Sequence, residues 1–299
     1  MRTIIICGAT ATGKSDLAVA LATEIDAEIV NADSMQVYEG MDIGTAKLSV
    51  SERGGIPHHL LDALSVRQDS TVAWYQEAAR TVIDQIHQRG KDAIIVGGTG
   101  LYIKAIVDDL NFPDTDPVIR SRLELEAIEH GAAVLFARLE KLDPAAALAI
   151  DRANTRRIVR ALEVIEITGQ PFTANLPREA SSRYPEAIHF GLSQDRESLD
   201  IRVSNRVDAM WEAGLVAEVE GLVVTGLREG VTAQKALGYA QVLQMMDGLL
   251  TSDEAREETK RVTRQYIRRQ DTWFSRDNRL HWLGHYENRL EKILTRINS

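Results

Sequence analysis

Residues 3–7 (Thr3-Ile4-Ile5-Ile6-Cys7) form an apolar, β-branched run, which predicts a buried strand. Behind it, Leu17, Ala18, Leu21, Ala22 and Ile25 recur at helical spacing and predict a helix over residues 16–25. A second short strand is predicted at residues 28–31, a helix over 71–87, and a third buried strand at 92–96. Strands alternating with helices imply a parallel sheet. The pattern changes at Asn111-Phe112-Pro113-Asp114-Thr115-Asp116-Pro117, a turn-rich break after which helical periodicity alone runs to about residue 170. Residues 171–185 read as a loop with three prolines and 188–192 as a strand returning to the sheet. Long helical patterns then fill 198–276, and a strand at 280–283 and an amphipathic helix at 287–297 follow. The expected fold is α/β. A core from residues 1–112 and 186–299 holds a parallel sheet flanked by helices, and residues 113–185 form an inserted all-helical subdomain.

A chain of 299 residues can bury a core without staples. Its single cysteine, Cys7, excludes an internal disulfide and a thiolate metal cluster, which suits a reducing cytoplasm. No apolar stretch approaches the roughly 20 residues that a membrane span demands. A cytoplasmic monomer with no membrane partner is therefore expected. The net charge of −9 argues against a non-specific nucleic-acid coat. A partner reads local field, however, so the positions of the arginines matter more than the total.

The chemistry concentrates in Gly8-Ala9-Thr10-Ala11-Thr12-Gly13-Lys14-Ser15, a G-x-x-x-x-G-K-S loop between a predicted strand and a predicted helix. Its glycines let the backbone curl so that N–H groups face phosphate oxygens, and the helix presents its positive end. Lys14 adds a point charge, and Ser15 is a candidate ligand for Mg²⁺. The same cradle serves nucleotide hydrolases, small-molecule kinases and enzymes that expel diphosphate from another donor. A hydrolase would carry an aspartate at the end of a neighbouring apolar strand. Here Ala93-Ile94-Ile95-Val96 ends in Gly97-Gly98-Thr99-Gly100, with no carboxylate. The carboxylate falls after the second strand, at Asp33, where the strand ends of a doubly wound sheet line the ligand crevice. A base there could take a proton from an acceptor; the ordinary alternative is a turn or cap residue.

Arg156, Arg157 and Arg160 share one helical face. Between residues 256 and 279, eight basic residues (Arg256, Lys260, Arg261, Arg264, Arg268, Arg269, Arg276, Arg279) stand against four acids. Tyr266, Trp273 and Phe274 interleave with them as stacking surfaces or as core. Two basic patches on an acidic chain suggest a shaped polyanion such as folded RNA. His58-His59 has no further His or Cys cluster to support a metal and reads as structural or as part of a substrate loop.

In combination these stretches resemble the tRNA isopentenyltransferase (tRNA dimethylallyltransferase) family of bacterial type. The resemblance runs from Gly8–Ser15 through Asn31-Ala32-Asp33-Ser34-Met35-Gln36-Val37-Tyr38, Met41-Asp42-Ile43-Gly44-Thr45-Ala46-Lys47 and Pro57-His58-His59-Leu60. It continues in Gly97–Tyr102, Arg156–Glu163, Lys235-Ala236-Leu237-Gly238-Tyr239 and Arg268-Arg269-Gln270-Asp271-Thr272-Trp273-Phe274. The resemblance implies transfer of a dimethylallyl group from dimethylallyl diphosphate to N6 of the adenosine adjacent to the anticodon of tRNA, with Mg²⁺ and no consumption of a nucleoside triphosphate. It implies Asp33 as general base, with Lys14 and Thr10 beside it in catalysis. The donor site would comprise Gly8, Ala9, Thr10, Ala11, Thr12, Gly13, Lys14 and Ser15 with Arg202 and Arg206. Contacts to the tRNA anticodon stem-loop are implied for Asp33, Ser34, Met35, Gln36, Thr99, Arg120, Arg156, Arg157, Ile158, Val159, Arg160, Lys235, Gly238, Tyr239, Arg268, Arg269, Gln270 and Trp273. The inserted helices would clasp the stem-loop. The chain departs from the family in Ala9, Thr12 and Ser15, each of which preserves the cradle or the hydroxyl, and it lacks the zinc finger of eukaryotic relatives. The alternatives are a prenyltransferase acting on AMP or ADP, a P-loop kinase, and an RNA-binding protein whose loop senses a nucleotide.

Overall fold

The computed structural model of the chain describes residues 1–175 and 182–299, so the expected loop over 171–185 lies partly outside the described residues. Six strands form one parallel sheet: β1 (Thr3–Gly8), β2 (Glu28–Asn31), β3 (His58–His59), β4 (Ala93–Gly97), β5 (Ile188–Leu192) and β6 (Leu280–Leu283). Their order is β3-β2-β4-β1-β5-β6. β1 lies at the centre with Ile5 paired to Ile95 on one side and to His189 on the other. Ile4, Ile5 and Ile6 are fully buried, which explains why this strand reads as a continuous apolar run. Each such side chain contributes about 1.5–3 kcal/mol on burial.

The helices are α1 (Lys14–Ile25), α2 (Val72–Gln88), α3 (Gly100–Val107), α4 (Pro117–His130), α5 (Ala132–Leu142), α6 (Pro144–Ala149), α7 (Thr155–Thr168), α8 (Arg196–Glu212), α9 (Leu215–Thr225), α10 (Tyr239–Met246), α11 (Ser252–Phe274) and α12 (Arg289–Ile297). α2 and α3 cover one face of the sheet through Tyr75, Ile83 and Ile106. α1 and α12 cover the other through Leu21, Ile293 and Ile297. Leaving in opposite directions, the chain opens a crevice at the carboxyl ends of β1, β4 and β2. His58-His59, read as structural or as part of a substrate loop, forms β3, an edge strand paired in parallel with β2, which fits the structural reading. His59 Nε2 lies 2.7 Å from Glu28 Oε2, which Arg89 also contacts at 2.6 Å. Among the described residues, no group of three His, Cys, Asp or Glu side chains could hold a metal.

The chain divides into two compact units, Met1–Val107 with Tyr184–Ser299, and Asp108–Arg183. The expected borders stood at 113 and 185. In the second unit α4, α5, α6 and α7 pack through Leu123, Leu135, Leu139, Ile158 and Leu162. α4 starts where the turn-rich break ends: Asp116 caps its first amides and Pro117 occupies its first turn. No helix among the described residues is long and apolar enough to cross a membrane.

Candidate active site

The loop between β1 and α1 is shaped by its own backbone. Gly8 has φ 144°, and a Cβ there would lie 2.7 Å from the Leu192 carbonyl oxygen. Gly13 (φ 84°) caps α1 without any side-chain acceptor, so the first-turn amides of that helix meet no capping group. Ala11 holds a left-handed φ of 64°, a strained conformation for a residue with a side chain. The Ala9 carbonyl accepts from Thr12 Oγ1 at 2.8 Å and from Lys14 Nζ at 2.6 Å, folding the lysine back over the loop. Burial of the ammonium, and then the positive charge of Arg206, lowers the Lys14 pKa to about 8, with Asp33 opposing them.

Three elements fix the loop from outside. On α8, Leu199, Val203 and Val207 pack with Ile267 against Ala9. This apolar stripe turns Arg202 and Arg206 toward the crevice. Arg202 Nη1 donates to the Ala11 carbonyl at 3.2 Å, and Arg206 Nη2 donates to the Thr45 carbonyl at 3.4 Å. Burial lowers the Arg206 pKa, and Asp33 offsets part of that. On α11, Gln270 accepts from Thr10 N and donates to the Gly98 carbonyl, both at 2.9 Å. On α12, Arg289 donates to the carbonyls of Thr12 at 2.8 Å and Ser193 at 2.7 Å. The sequence reading missed Arg289, since its partners lie far away in the chain.

Asp33 sits in the turn after β2. Its N–H donates to Asn31 Oδ1 at 3.0 Å, and its Oδ1 accepts from Met35 N at 2.8 Å. The turn reading of Asp33 is thus correct for one carboxylate oxygen, while Oδ2 has no hydrogen bond among the described residues. Thr99 ties this turn to the end of β4: its N–H donates to the Ala32 carbonyl, and its hydroxyl accepts from Ser34 N, each at 3.2 Å. Gln36 Nε2 donates to the Thr45 carbonyl at 3.0 Å.

A cleft of about 700 Å³ brings together Thr10, Ala11, Gly13, Lys14, Ser15, Asp33, Gln36, Arg202 and Arg206. A second cavity of about 210 Å³ is lined by Ser34, Met35, Val203, Val207, Lys235 and Tyr266. Thr10, Asp33, Thr45, Arg206 and Met210 line both. The site therefore has two chambers that meet at a carboxylate and a phosphate-type loop.

Other expected contact residues are placed differently. Ile158, Val159 and Tyr239 are core side chains, and Gln270 is buried against the loop backbone, so none of the four presents a side-chain surface to a macromolecule. Gly238 caps α10, its N–H donating to Gln241 Oε1 at 2.9 Å. Arg120 and Arg160 converge on the fully buried Glu163 at 2.6 and 2.8 Å. Burial would raise the Glu163 pKa, but the two guanidiniums bring it below the ordinary value. In the 256–279 stretch the charge excess is smaller than the sequence count implied. Arg256 and Lys260 pair with Asp208, Arg261 with Glu258, and Arg279 with Asp277. Arg264 donates to Ser204 Oγ. The side chains of Arg156, Arg157, Arg268 and Arg276 have no ion pair or hydrogen bond among the described residues. Arg269 lies 5.6 Å from the centroid of the Tyr266 ring. Trp273 is 42% exposed and lies so close over Gly100 that a Cβ there would sit 2.1 Å from the indole.

Residues 36–277 match the family model described as IPP transferase. The chain is 57% identical over 289 residues to the tRNA dimethylallyltransferase of Thermobifida fusca, covering 95% of this chain and 90% of that protein. It is similar to the crystal structure of the full-length tRNA isopentenylpyrophosphate transferase of Bacillus halodurans, with a TM-score of 0.73, 37% identity, and coverage of 99% and 95% of the two chains. A eukaryotic dimethylallyltransferase crystallised acting on tRNA matches with a TM-score of 0.86 at 26% identity, over all of this chain and 79% of that one.

Proposed function

The chain belongs to the IPP transferase family, and on that premise we propose that the dimethylallyl group it transfers to tRNA comes from dimethylallyl diphosphate seated on the Gly8–Ser15 loop. The acceptor is N6 of the adenosine immediately 3′ of the anticodon. The observation that carries this reading is the meeting of the two chambers at Asp33, Thr10 and Arg206. A diphosphate in the larger chamber and an extruded base in the smaller one would confront each other there. Extruding a base from an unpaired loop costs a few kcal/mol.

The reaction breaks the bond between C1 of the allyl group and the diphosphate oxygen, which leaves with the electron pair. The N6 lone pair forms the new bond to C1, and the N6 proton passes to Oδ2 of Asp33. Because negative charge grows on the leaving diphosphate, the loop amides, Lys14, Arg202 and Arg206 act most strongly in the transition state. Thr10 is held by Gln270 at the junction and orients the departing oxygen.

The site chemistry fits a Mg²⁺ ion that arrives with the diphosphate. Among the described residues the Ser15 hydroxyl has no hydrogen-bond partner and no group of three His, Cys, Asp or Glu side chains could hold a metal, and Ser15 lines the cleft beside Asp16. Mg²⁺ keeps most of its waters and binds through substrate phosphates with one or two protein ligands. When bound, it supplies charge neutralisation to the diphosphate. The unpaired Arg156, Arg157, Arg268 and Arg276, together with Arg269 and the half-exposed Trp273, are suited to phosphates and bases of the anticodon stem-loop.

Incubation with labelled dimethylallyl diphosphate, Mg²⁺ and either tRNA or AMP tests the assignment. Label is expected on tRNA alone. Label on AMP, or γ-phosphate transfer from labelled ATP, would overturn it.

A further inference from the structure

The Lys235–Tyr239 stretch ends in a tyrosine whose surroundings point away from RNA. Tyr239 is fully buried, and its hydroxyl donates to Glu218 Oε1 at 2.5 Å. The same carboxylate accepts from three consecutive backbone amides: Asp42 N at 3.2 Å, Ile43 N at 2.8 Å and Gly44 N at 3.3 Å. Successive N–H groups converging on one point form an anion-binding concavity. Here the anion is an internal one, 174 residues away along the chain from Gly44. Gly44 is required for this approach, since a Cβ would lie 2.4 Å from the Tyr239 ring.

The clamped segment is a wall of the larger chamber, which Asp42, Ile43, Thr45 and Lys47 line. One residue beyond the clamp, the Thr45 carbonyl accepts from both Gln36 Nε2 and Arg206 Nη2. At the far end, Lys47 Nζ is held by Asp62 at 2.5 Å, Asp42 at 2.7 Å and the Tyr38 carbonyl at 2.9 Å. A chain of contacts therefore runs from the Tyr239 hydroxyl through Glu218 and the 42–45 backbone to the guanidinium of Arg206.

We propose that Glu218 and Tyr239 are positioning residues for donor binding. Glu218 supplies the fixed negative charge that organises the 42–44 amides, and Tyr239 orients that carboxylate, so that the Thr45 carbonyl holds Arg206 over the phosphate loop. The hydroxyl stays protonated for this task, because burial and then the neighbouring Glu218 raise its pKa strongly. The proposal rests on the reading of the larger chamber as the donor site, and it assigns Tyr239 a role on the donor side where the family resemblance implied tRNA contact.

Tyr239→Phe removes the hydroxyl and keeps the ring that packs beside Gly44 and Leu215. Glu218→Gln removes the charge and keeps the side chain's length. Amide hydrogen exchange at residues 42–44 should rise in both variants at unchanged global melting temperature. The KM for dimethylallyl diphosphate should rise about tenfold, with kcat and the KM for tRNA within twofold. Unchanged exchange at 42–44 would overturn the clamp. Raised exchange with an unchanged donor KM would overturn its coupling to the donor, and a raised KM for tRNA alone would return Tyr239 to the RNA surface. Calorimetry of donor on the wild-type protein separates the two levels: failure to bind there refutes the donor-site reading itself, whereas the exchange data test the clamp independently.

Discussion

Replacing Asp33 by asparagine separates its two structural roles. Oδ1 accepts the Met35 amide at 2.8 Å and shapes the turn after β2, while Oδ2 has no hydrogen-bond partner among the described residues and the residue lines both chambers. Asparagine retains a carbonyl oxygen for the turn and cannot accept the N6 proton. A positioned general base contributes about 10²–10⁴-fold, so the single-turnover rate of Asp33→Asn should fall by that factor. Donor affinity should hold or tighten, because Asp33 is the negative charge acting on both Lys14 and Arg206. Affinity for tRNA should change by no more than a few-fold. Alanine additionally loses the turn hydrogen bond, at a cost of about 1 kcal/mol, which should lower the melting temperature by roughly 2–4 °C. The assay is rapid quench with labelled donor and saturating tRNA, with filter binding for the tRNA dissociation constant. A rate for Asp33→Asn within threefold of wild type would refute the assignment of the base. So would a loss carried wholly by the tRNA dissociation constant.

Lys14, with its pKa lowered to about 8 by burial and by Arg206, loses its charge in the empty site as pH rises from 7 to 9. Diphosphate favours the ammonium form, so binding takes up a proton and the donor dissociation constant should rise above pH 8 by up to about tenfold per pH unit. Calorimetry showing a flat affinity from pH 7 to 9.5 would refute this, and Lys14→Ala should itself be flat. Arg156→Ala with Arg157→Ala should weaken tRNA binding and reduce its salt dependence by about 0.7–0.9 per lost phosphate contact. Arg261→Ala should leave both unchanged, because Glu258 already engages that side chain; salt titrations that fail to distinguish the two variants would contradict the sorting of the arginines. Gly97→Ala would place a Cβ 2.2 Å from the Ala32 carbonyl oxygen. Overpacking of this kind costs about 1–3 kcal/mol or more, so melting within 1 °C of wild type would show that the β2 and β4 ends are less tightly apposed.

The elements legible in the sequence are those whose signal is local. β1, the loop and α1 lie within 23 consecutive residues and carry period, glycine spacing and charge together. β2, β5 and β6 are found where their apolar runs predict them. β3 was hidden because a two-residue strand has no periodicity, and its identity depends on pairing with Ile29 and Val30. Arginines 256–279 were overcounted as free charge because a count within the stretch does not show an acid on another helix, and Asp208 engages both Arg256 and Lys260. Glu163 could have been suspected from its i,i+3 spacing to Arg160. Glu218 and Arg289 offered no such signal: their partners lie 174 and 277 residues away.

The absence of a carboxylate at the end of β4 has a steric origin that also explains where the carboxylate went. Gly97 runs so close to Ala32 that any side chain would collide with its carbonyl, and Gly98 leaves room for Gln270, whose Nε2 would lie 2.3 Å from a Cβ there. Gln270 uses that room to link Gly98 to Thr10, fixing the phosphate loop against β4. The approach of Ala32 lets Thr99 close the β2 turn with two hydrogen bonds, and that turn carries Asp33 into the cleft with Lys14. An acid at the end of β4 and Asp33 at the β2 turn are therefore competing solutions in this backbone. The first would organise a metal and water beside the phosphates, as nucleotide hydrolysis needs. The second leaves the phosphate side to amides, hydroxyls and cations and puts Asp33 on the wall shared by the two chambers, where the proposed base would meet a bound amine rather than a metal-held water.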